Sequence, residues 1–367
     1  MRIALVVTGG FDASGRQSVI PTLLSLVERL ARRHDVFVYV LRYHAHPSTY
    51  PLVGATIRDL GRPTGIWQQY SRLTAAVKHD GPFDVLHAYW GLPAGFVTAV
   101  AGRRLGLPSV VTFDSGEFAA LPDIRYGSQL RWRQRLAIRA TARLATVLTV
   151  CSEYQARLAR AHGRSTSVIP LGVDCSRFVQ AHRLDGPPWR LLHVASMNPV
   201  KDHDTLLRAF QLVLQSGIDV RLDIAGEDTL GGAASALAMR LGIRERVCFL
   251  GFQPSDALVP IYQRSHLFVL SSRHEAAGAV VLEAAACGVP IVGTAVGYIA
   301  DWAPERAIAV ATHDPAALAT AIRELLIQRE TRERIATAAH QWTVTHDADW
   351  TSQQIEHVYE KLLTPGS

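Results

Sequence analysis

Cysteine and lysine are both scarce in this 367-residue chain. The four cysteines, Cys151, Cys175, Cys248 and Cys287, form no CxxC pair. Neither a disulfide framework nor a zinc knuckle is spelled out, and scattered thiols suit a reducing cytosol. Of 38 lysines and arginines, only Lys78, Lys201 and Lys361 are lysines. So lopsided an arginine excess points to coding bias, so the formal charge of +6 is a weak argument for nucleic acid, and no nucleic-acid partner is expected. The charge does suit anionic small molecules or an anionic membrane surface. Long apolar runs are missing as well, since no uncharged apolar run reaches the ~18 residues a spanning helix needs. The apolar run 3–7 is too short for a signal-peptide core and gives way to Thr8-Gly9-Gly10. A cytoplasmic protein is expected, with peripheral attachment at the inner membrane face left open.

Apolar residues make up 48% and charged residues 19%, enough to bury a sizeable core and to exclude a disordered chain. At ~150 residues per domain, the length allows two domains or three. Short β-branched runs alternate with longer helical patterns, which points to parallel sheets with crossover helices. Strands are expected at 3–7, 36–41, 85–87, 109–113, 147–151 and 167–169, and helices at 18–33, 67–79, 92–105, 130–145 and 153–161. The pattern restarts with a strand at 191–195 and a helix from Thr205, followed by strands at 222–225, 247–250, 267–270, 291–293 and 307–309. The aperiodic stretch 181–190, with Gly186-Pro187-Pro188, is the linker candidate. The expected division is 1–182, 183–345 and a final helical segment 346–367 that crosses back onto the first domain. Ligands of open parallel sheets sit at the carboxyl ends of the strands, and the cleft between two such domains is the default site.

One constellation stands out: Ser271-Ser-Arg-His-Glu275-Ala-Ala-Gly278-Ala-Val-Val-Leu-Glu283-Ala-Ala-Ala-Cys-Gly288-Val-Pro290. It follows a buried strand, so it occupies a strand-to-helix turn. Gly278 lets the backbone approach a ligand, and the helix from Ala279 and Val280 presents unpaired N–H groups to an anion. Glu275 precedes that helix and Glu283 lies about one turn inside it, so both carboxylates can face one ligand. This Glu-x7-Glu pattern with its internal glycine, alanine-rich helix and Cys-Gly-Val-Pro resembles the signature of glycosyltransferase family 4, retaining enzymes of the GT-B fold. The resemblance implies two Rossmann-like α/β domains whose parallel sheets face a cleft. It also implies that Glu275 approaches the donor sugar and Glu283 holds the nucleotide ribose, with Ala277 standing where the family usually has an aromatic.

Two further stretches support it. In Ala195-Ser196-Met-Asn-Pro-Val-Lys201 a lysine sits at a helix start after a strand, where it can neutralise a diphosphate leaving group together with helix N-termini. The family has Gly-Arg where this chain has Ala195-Ser196, so Lys201 carries more of that charge or another arginine substitutes. Thr8-Gly9-Gly10, only a turn by itself, matches the family's loop facing the diphosphate. In the first domain, Asp84-Val-Leu-His87 resembles the family's Asp-x-x-His, and Asp114 replaces the histidine of its Thr-x-His. Asp114 can accept from the acceptor hydroxyl, while His87 is either catalytic or a buried core histidine. Asp202-His-Asp204 and Asp347-Ala-Asp349 formally match a metal-binding Asp-x-Asp, but the first abuts a helix start and the second lies near the chain end, so no metal is expected.

Arg131, Arg135, Arg139 and Arg143, spaced by four along one expected helix, form a slanting basic stripe with Trp132, Leu136 and Ala140 beside it. The stripe either contacts an anionic membrane, or binds a phosphate on the acceptor together with Arg125, or is solvated surface. The resemblance implies a metal-independent, retaining transfer from a nucleotide-diphospho-sugar, UDP- or GDP-linked and with no cofactor, to a glycan, lipid-linked or small-molecule acceptor. Another GT-B enzyme, such as a sugar-nucleotide epimerase or a phosphorylase, and a non-catalytic nucleotide-sugar-binding subunit are the alternatives.

Overall fold

The computed structural model describes residues 1–182 and 185–364, and the chain divides into two compact units. The first is Met1–Leu171 with Ala348–Ser367, the second Gly172–Asp347. Arg183 and Leu184 of the expected linker lie outside the described residues, as do Pro365, Gly366 and Ser367. The division falls after Leu171 rather than at 182, because the chain there already packs on second-unit residues. Phe178 meets Tyr262 edge-on with ring centroids 6.0 Å apart, and the Gln263 amide donates to the Val179 carbonyl at 2.9 Å.

The strands of the first unit are β1 (Arg2–Val7), β2 (Asp35–Val40), β3 (Ser48–Leu52), β4 (Ala55–Asp59), β5 (Val85–Tyr89), β6 (Ser109–Phe113), β7 (Val147–Val150) and β8 (Ser167–Val168). They pair in the order β3-β4-β2-β1-β5-β6-β7-β8, parallel throughout except for β3 against β4. Around them run α1 (Pro21–Ala31), α2 (Ile66–Asp80), α3 (Phe96–Leu105), α4 (Trp132–Leu144) and α5 (Glu153–Ala161). The β3–β4 hairpin was not expected. Its two-residue turn places Val53 and Gly54 at φ 45° and 82°, and a β-branched residue is an unusual choice there, so the turn signal is weak. Helix α1 starts at Pro21 rather than 18, since proline's locked φ suits a first helical turn. The intervening loop is closed by a Phe11–Val19 bridge and by Ile20 N–H donating to the Gly10 carbonyl at 3.0 Å.

The second unit carries β9 (Trp189–Val194), β10 (Val220–Ala225), β11 (Val247–Gly251), β12 (Leu267–Leu270), β13 (Ile291–Thr294) and β14 (Ile308–Val310). All pair in parallel in the order β11-β10-β9-β12-β13-β14. Its helices are α6 (His203–Gln215), α7 (Ala233–Arg240), α8 (Ser255–Gln263), α9 (Ala279–Ala286), α10 (Gly297–Trp302), α11 (Pro315–Ile327) and α12 (Arg329–Thr345). β12 is buried along its whole length, as a central parallel strand covered on both faces must be.

The last helix, α13 (Ala348–Leu363), belongs to the first unit. Asp349 pairs with Arg29 at 2.9 Å, and Glu356 accepts from Arg33 and lies 3.0 Å from His34 Nε2. The Thr351 hydroxyl donates to the Pro170 carbonyl at 2.7 Å. Apart from the antiparallel β3–β4 hairpin, the strand order in each sheet reverses direction once, between β1 and β5 in the first and between β9 and β12 in the second. At such a reversal the flanking loops part and leave a crevice at the carboxyl ends of the strands.

Candidate active site

In the second unit the loops after β9 and β12 are sewn together. Asn198 caps the turn Pro199–Lys201 by accepting from Val200 N–H at 3.1 Å. The Arg273 N–H donates to the Val200 carbonyl and the Ser271 hydroxyl to the Lys201 carbonyl, both at 2.8 Å. This brings Lys201 Nζ to 2.6 Å from Glu275 Oε1, an oxygen that also accepts from the Ser272 hydroxyl at 2.6 Å. The lysine side chain is 23% exposed and the glutamate 11%, so the pair is shielded yet reachable. The exposed Ser196 sits on the same β9 loop, held by Met197 N–H donating to the Glu227 carbonyl at 2.8 Å.

Gly278, at φ 90°, ends the Glu275 loop and caps α9 without a side chain, leaving the N–H groups of Ala279 and Val280 half-buried and uncapped. Glu283 lies further along α9 and is buried. Its Oε2 accepts from the Tyr262 hydroxyl at 2.8 Å, and burial pushes its pKa up to about 7. The structure therefore joins Lys201 to Glu275, while Glu283 is held by Tyr262.

Several residues here had no place in the motif reading. Gly226, just past β10, allows a close approach, since a Cβ there would lie 1.9 Å from the Ala195 carbonyl oxygen. Gly297, at φ 53°, does the same beneath the Glu275 loop, where a Cβ would come within 2.2 Å of the Ala277 carbonyl oxygen. Both glycines follow shortly after a strand, and that position was their signal in the sequence. His193 and His203 stack edge-on, with ring centroids 4.8 Å apart, and both are buried. His193 Nδ1 lies 2.9 Å from the Val269 carbonyl oxygen, while its Nε2 and both ring nitrogens of His203 have no partner among the described residues. Burial lowers their pKa values to about 4 and about 3, with Lys201 adding to the effect, so both are neutral near pH 7. Asp202 is spent as a helix cap, accepting from Thr205 N–H at 3.2 Å, and Asp204 pairs with Arg208 at 2.7 Å.

In the first unit, a cavity of about 420 Å³ opens at the β1/β5 reversal. Thr8 and Trp90 line it from those two strand ends, and Leu92, residues 115–117 and 125–128, Arg131 and Gln134 complete its wall. The buried Glu117 holds the wall together. Its Oε1 accepts from Gly91 N–H at 2.9 Å and its Oε2 from Ser115 N–H at 2.8 Å, while burial raises its pKa. Asp114 is half-buried at the end of β6, beside the Cys151 thiol, which burial and then this carboxylate push well above its ordinary pKa. Gly10, at φ 86°, is needed for packing, as a Cβ there would come within 2.6 Å of Ile20; Gly9 has ordinary clearance.

The catalytic expectation for His87 is corrected. It is fully buried, with Nδ1 2.6 Å from the Tyr359 hydroxyl and Nε2 2.7 Å from the Thr112 hydroxyl. Both ring nitrogens are engaged and burial lowers its pKa to about 3, so it ties α13 to the sheet and offers nothing to a substrate. Arg131, which caps the start of α4 in extended conformation, and Arg135, Arg139 and Arg143 along that helix are all exposed. Trp132 is 60% and Leu136 52% exposed beside them, and Arg125 is exposed on the cavity wall.

Residues 19–172 match the family described as "Glycosyl transferase 4-like domain", and residues 176–342 the one described as "Glycosyl transferases group 1". A D-inositol 3-phosphate glycosyltransferase from Acidothermus cellulolyticus is 30% identical over 364 residues, spanning 88% of this chain and 80% of that protein. The chain belongs to glycosyltransferase family 4. A second relative of the same name, from Thermomonospora curvata, is 30% identical to this glycosyltransferase over 78% of its chain and 74% of the relative. The glycosyltransferase has the GT-B fold. Sucrose-phosphate synthase from Thermosynechococcus elongatus superposes with a TM-score of 0.82 over 98% of both chains at 18% identity. Anabaena HepE, solved with UDP and glucose, gives 0.76 over 98% of this chain and 100% of that one at 19% identity.

Proposed function

We propose that this glycosyltransferase moves a sugar from a nucleotide-diphospho-sugar to a hydroxyl of a glycan, lipid-linked or small-molecule acceptor, with retention at the anomeric carbon and without a metal. The supporting observation is the Lys201–Glu275 pair at the β9/β12 reversal, beside the uncapped start of α9. Lys201 and the N–H groups of Ala279 and Val280 bind the diphosphate, Glu275 orients the sugar, and Glu283 accepts from the ribose hydroxyls. In the transfer, the bond from the anomeric carbon to the diphosphate oxygen breaks, and the acceptor oxygen bonds to that carbon on the same face. The acceptor's proton passes to the departing phosphate oxygen. Charge on that oxygen grows as the bond breaks, and charge-assisted hydrogen bonds worth ~1.5–3 kcal/mol each favour the transition state. The lysine supplies the countercharge, which is why no divalent ion is invoked. On the acceptor side, Asp114 orients the hydroxyl next to the cavity wall 115–117.

UDP and GDP are both admitted as donor nucleotides, and HepE's complex with UDP-glucose makes that donor the first to try. Thermal shift against a panel of nucleotide diphosphates tests the donor side, since a ligand at 100 Kd adds ~2.7 kcal/mol. Product stereochemistry by NMR and activity in EDTA test the chemistry. An inverted product removes the retaining step, and a strict magnesium requirement removes the metal-free one. We also propose a peripheral contact between the α4 stripe and anionic lipid on the cytoplasmic side, at ~1 kcal/mol per arginine. Among the described residues no helix is long and apolar enough to cross a membrane. Equal sedimentation with neutral and anionic vesicles would dismiss that contact.

A further inference from the structure

We propose that the acceptor carries a phosphate group, gripped by Arg125 and Arg131 on the wall of the first-unit cavity. This deepens the acceptor side of the reading above and rests on it. Both residues line the cavity, and among the described residues neither guanidinium has an ion pair or a side-chain hydrogen bond. Some other arginines are matched to carboxylates, as Arg29 is to Asp349, Arg264 to Asp223 and Arg332 to Asp185. Glu117, the one carboxylate on the wall among the described residues, is buried and spent on backbone N–H groups, so it does not neutralise the arginines. Two unmatched guanidinium groups beside a concave surface are a site for an anion with several acceptor oxygens.

The wall is built rather than loose. Leu121 and Tyr126 exchange backbone hydrogen bonds at 2.8 and 3.0 Å, closing the turn that carries Arg125 at φ 52°. Gly127 packs so tightly that a Cβ would lie 2.1 Å from the Ala119 carbonyl oxygen, and the Gln129 amide donates to the Glu117 carbonyl at 2.6 Å. Trp90, also in the lining, is likewise held in the left-handed region, at φ 69°. Backbone strain of this kind costs on the order of 1–3 kcal/mol per residue and persists only where packing over-determines it, commonly at ligand clamps. Beside Leu92 and Trp90 the lining offers polar groups, including Ser115, Ser128, Gln134 and the buried Thr8 hydroxyl, which has no partner among the described residues. Such a lining suits the polyhydroxyl body of a sugar or polyol, with the phosphate at the arginines.

Calorimetric titration of the full chain, with and without saturating UDP, tests this with inorganic phosphate, a hexose 6-phosphate and the unphosphorylated hexose. Vesicles of phosphatidylcholine alone and with added phosphatidylglycerol form a second arm. The hexose phosphate is expected to bind at least ~10-fold tighter than the hexose, to compete with inorganic phosphate and to weaken with salt. Arg125→Gln and Arg131→Gln should each lose roughly tenfold of that affinity, and Arg→Lys variants should recover part of it, with melting curves confirming the fold. Arginine-dependent binding confined to phosphatidylglycerol vesicles also supports the phosphate grip and assigns the group to a lipid. Equal affinity for hexose and hexose phosphate, or phosphate binding untouched in the double Gln variant, overturns the proposal. Failure to bind any nucleotide diphosphate defeats the donor reading instead, and it is read independently of the phosphate titration.

Discussion

Lys201→Ala is the most informative perturbation, because the same ammonium group faces Glu275 at 2.6 Å and is assigned the leaving diphosphate. In the unliganded protein its loss leaves Glu275 with the Ser272 hydroxyl. Breaking a fully buried pair costs ~3–5 kcal/mol, but with the lysine 23% exposed water recovers part of that, and a stability loss of about 1–2 kcal/mol is expected. The kinetic effect should be larger. Charge on the departing oxygen peaks in the transition state, and deleting one preorganised donor there lowers turnover ~100- to 1,000-fold, or ~2.7–4 kcal/mol. Steady-state kinetics should show the loss mainly in kcat, because the donor's ground-state charge is partly held by the start of α9. A double variant with Glu275→Gln separates the two roles. If Lys201 served only to neutralise Glu275, the second substitution would restore both melting temperature and turnover. Turnover of Lys201→Ala within about threefold of the native enzyme, or full recovery in the double variant, would refute the phosphate assignment.

Glu275→Gln alone should lower transfer severely while thermal shift still registers nucleotide diphosphate binding; unchanged transfer would remove its role at the sugar. Glu283 titrates at about 7 in the folded chain, above its ordinary value of 4.5, so the folded state holds that proton more tightly. Its contribution to stability is complete below pH ~4.5 and is lost as pH rises through ~7, on the order of 3 kcal/mol in all. Glu283→Gln should therefore flatten the fall in melting temperature over that window, and an unchanged slope in the variant would contradict the buried-carboxyl account. His87→Ala should cost ~2–4 kcal/mol in denaturant unfolding through the lost contacts to Tyr359 and Thr112, with turnover per folded molecule retained. A selective loss of turnover in a fully folded variant would return His87 to the chemistry.

The alternation of elements, and so the two parallel sheets, is legible in windows of ten to twenty residues. A buried parallel strand such as 267–270 is a continuous apolar run, and glycines and prolines punctuate such runs. The Glu275–Glu283 spacing and the placing of Lys201 at a helix start are equally local, so the glycosyltransferase motifs stand out from the linear chain. What lay beyond it depends on which strands become neighbours. Lys201 and Glu275 are 74 positions apart, and they meet only because β9 and β12 adjoin across the reversal in strand order. His87 looked as suitable for catalysis as for the core until α13 brought Tyr359 to its ring. Glu117 and the convergence of Arg125 with Arg131 on one cavity likewise follow from the fold of the loop after β6, which has no periodic signature. Hydrophobic periodicity and turn chemistry act between residues close in sequence and are readable there. Pairing, burial and charge neutralisation act between residues close in space, and only the tertiary structure determines which those are.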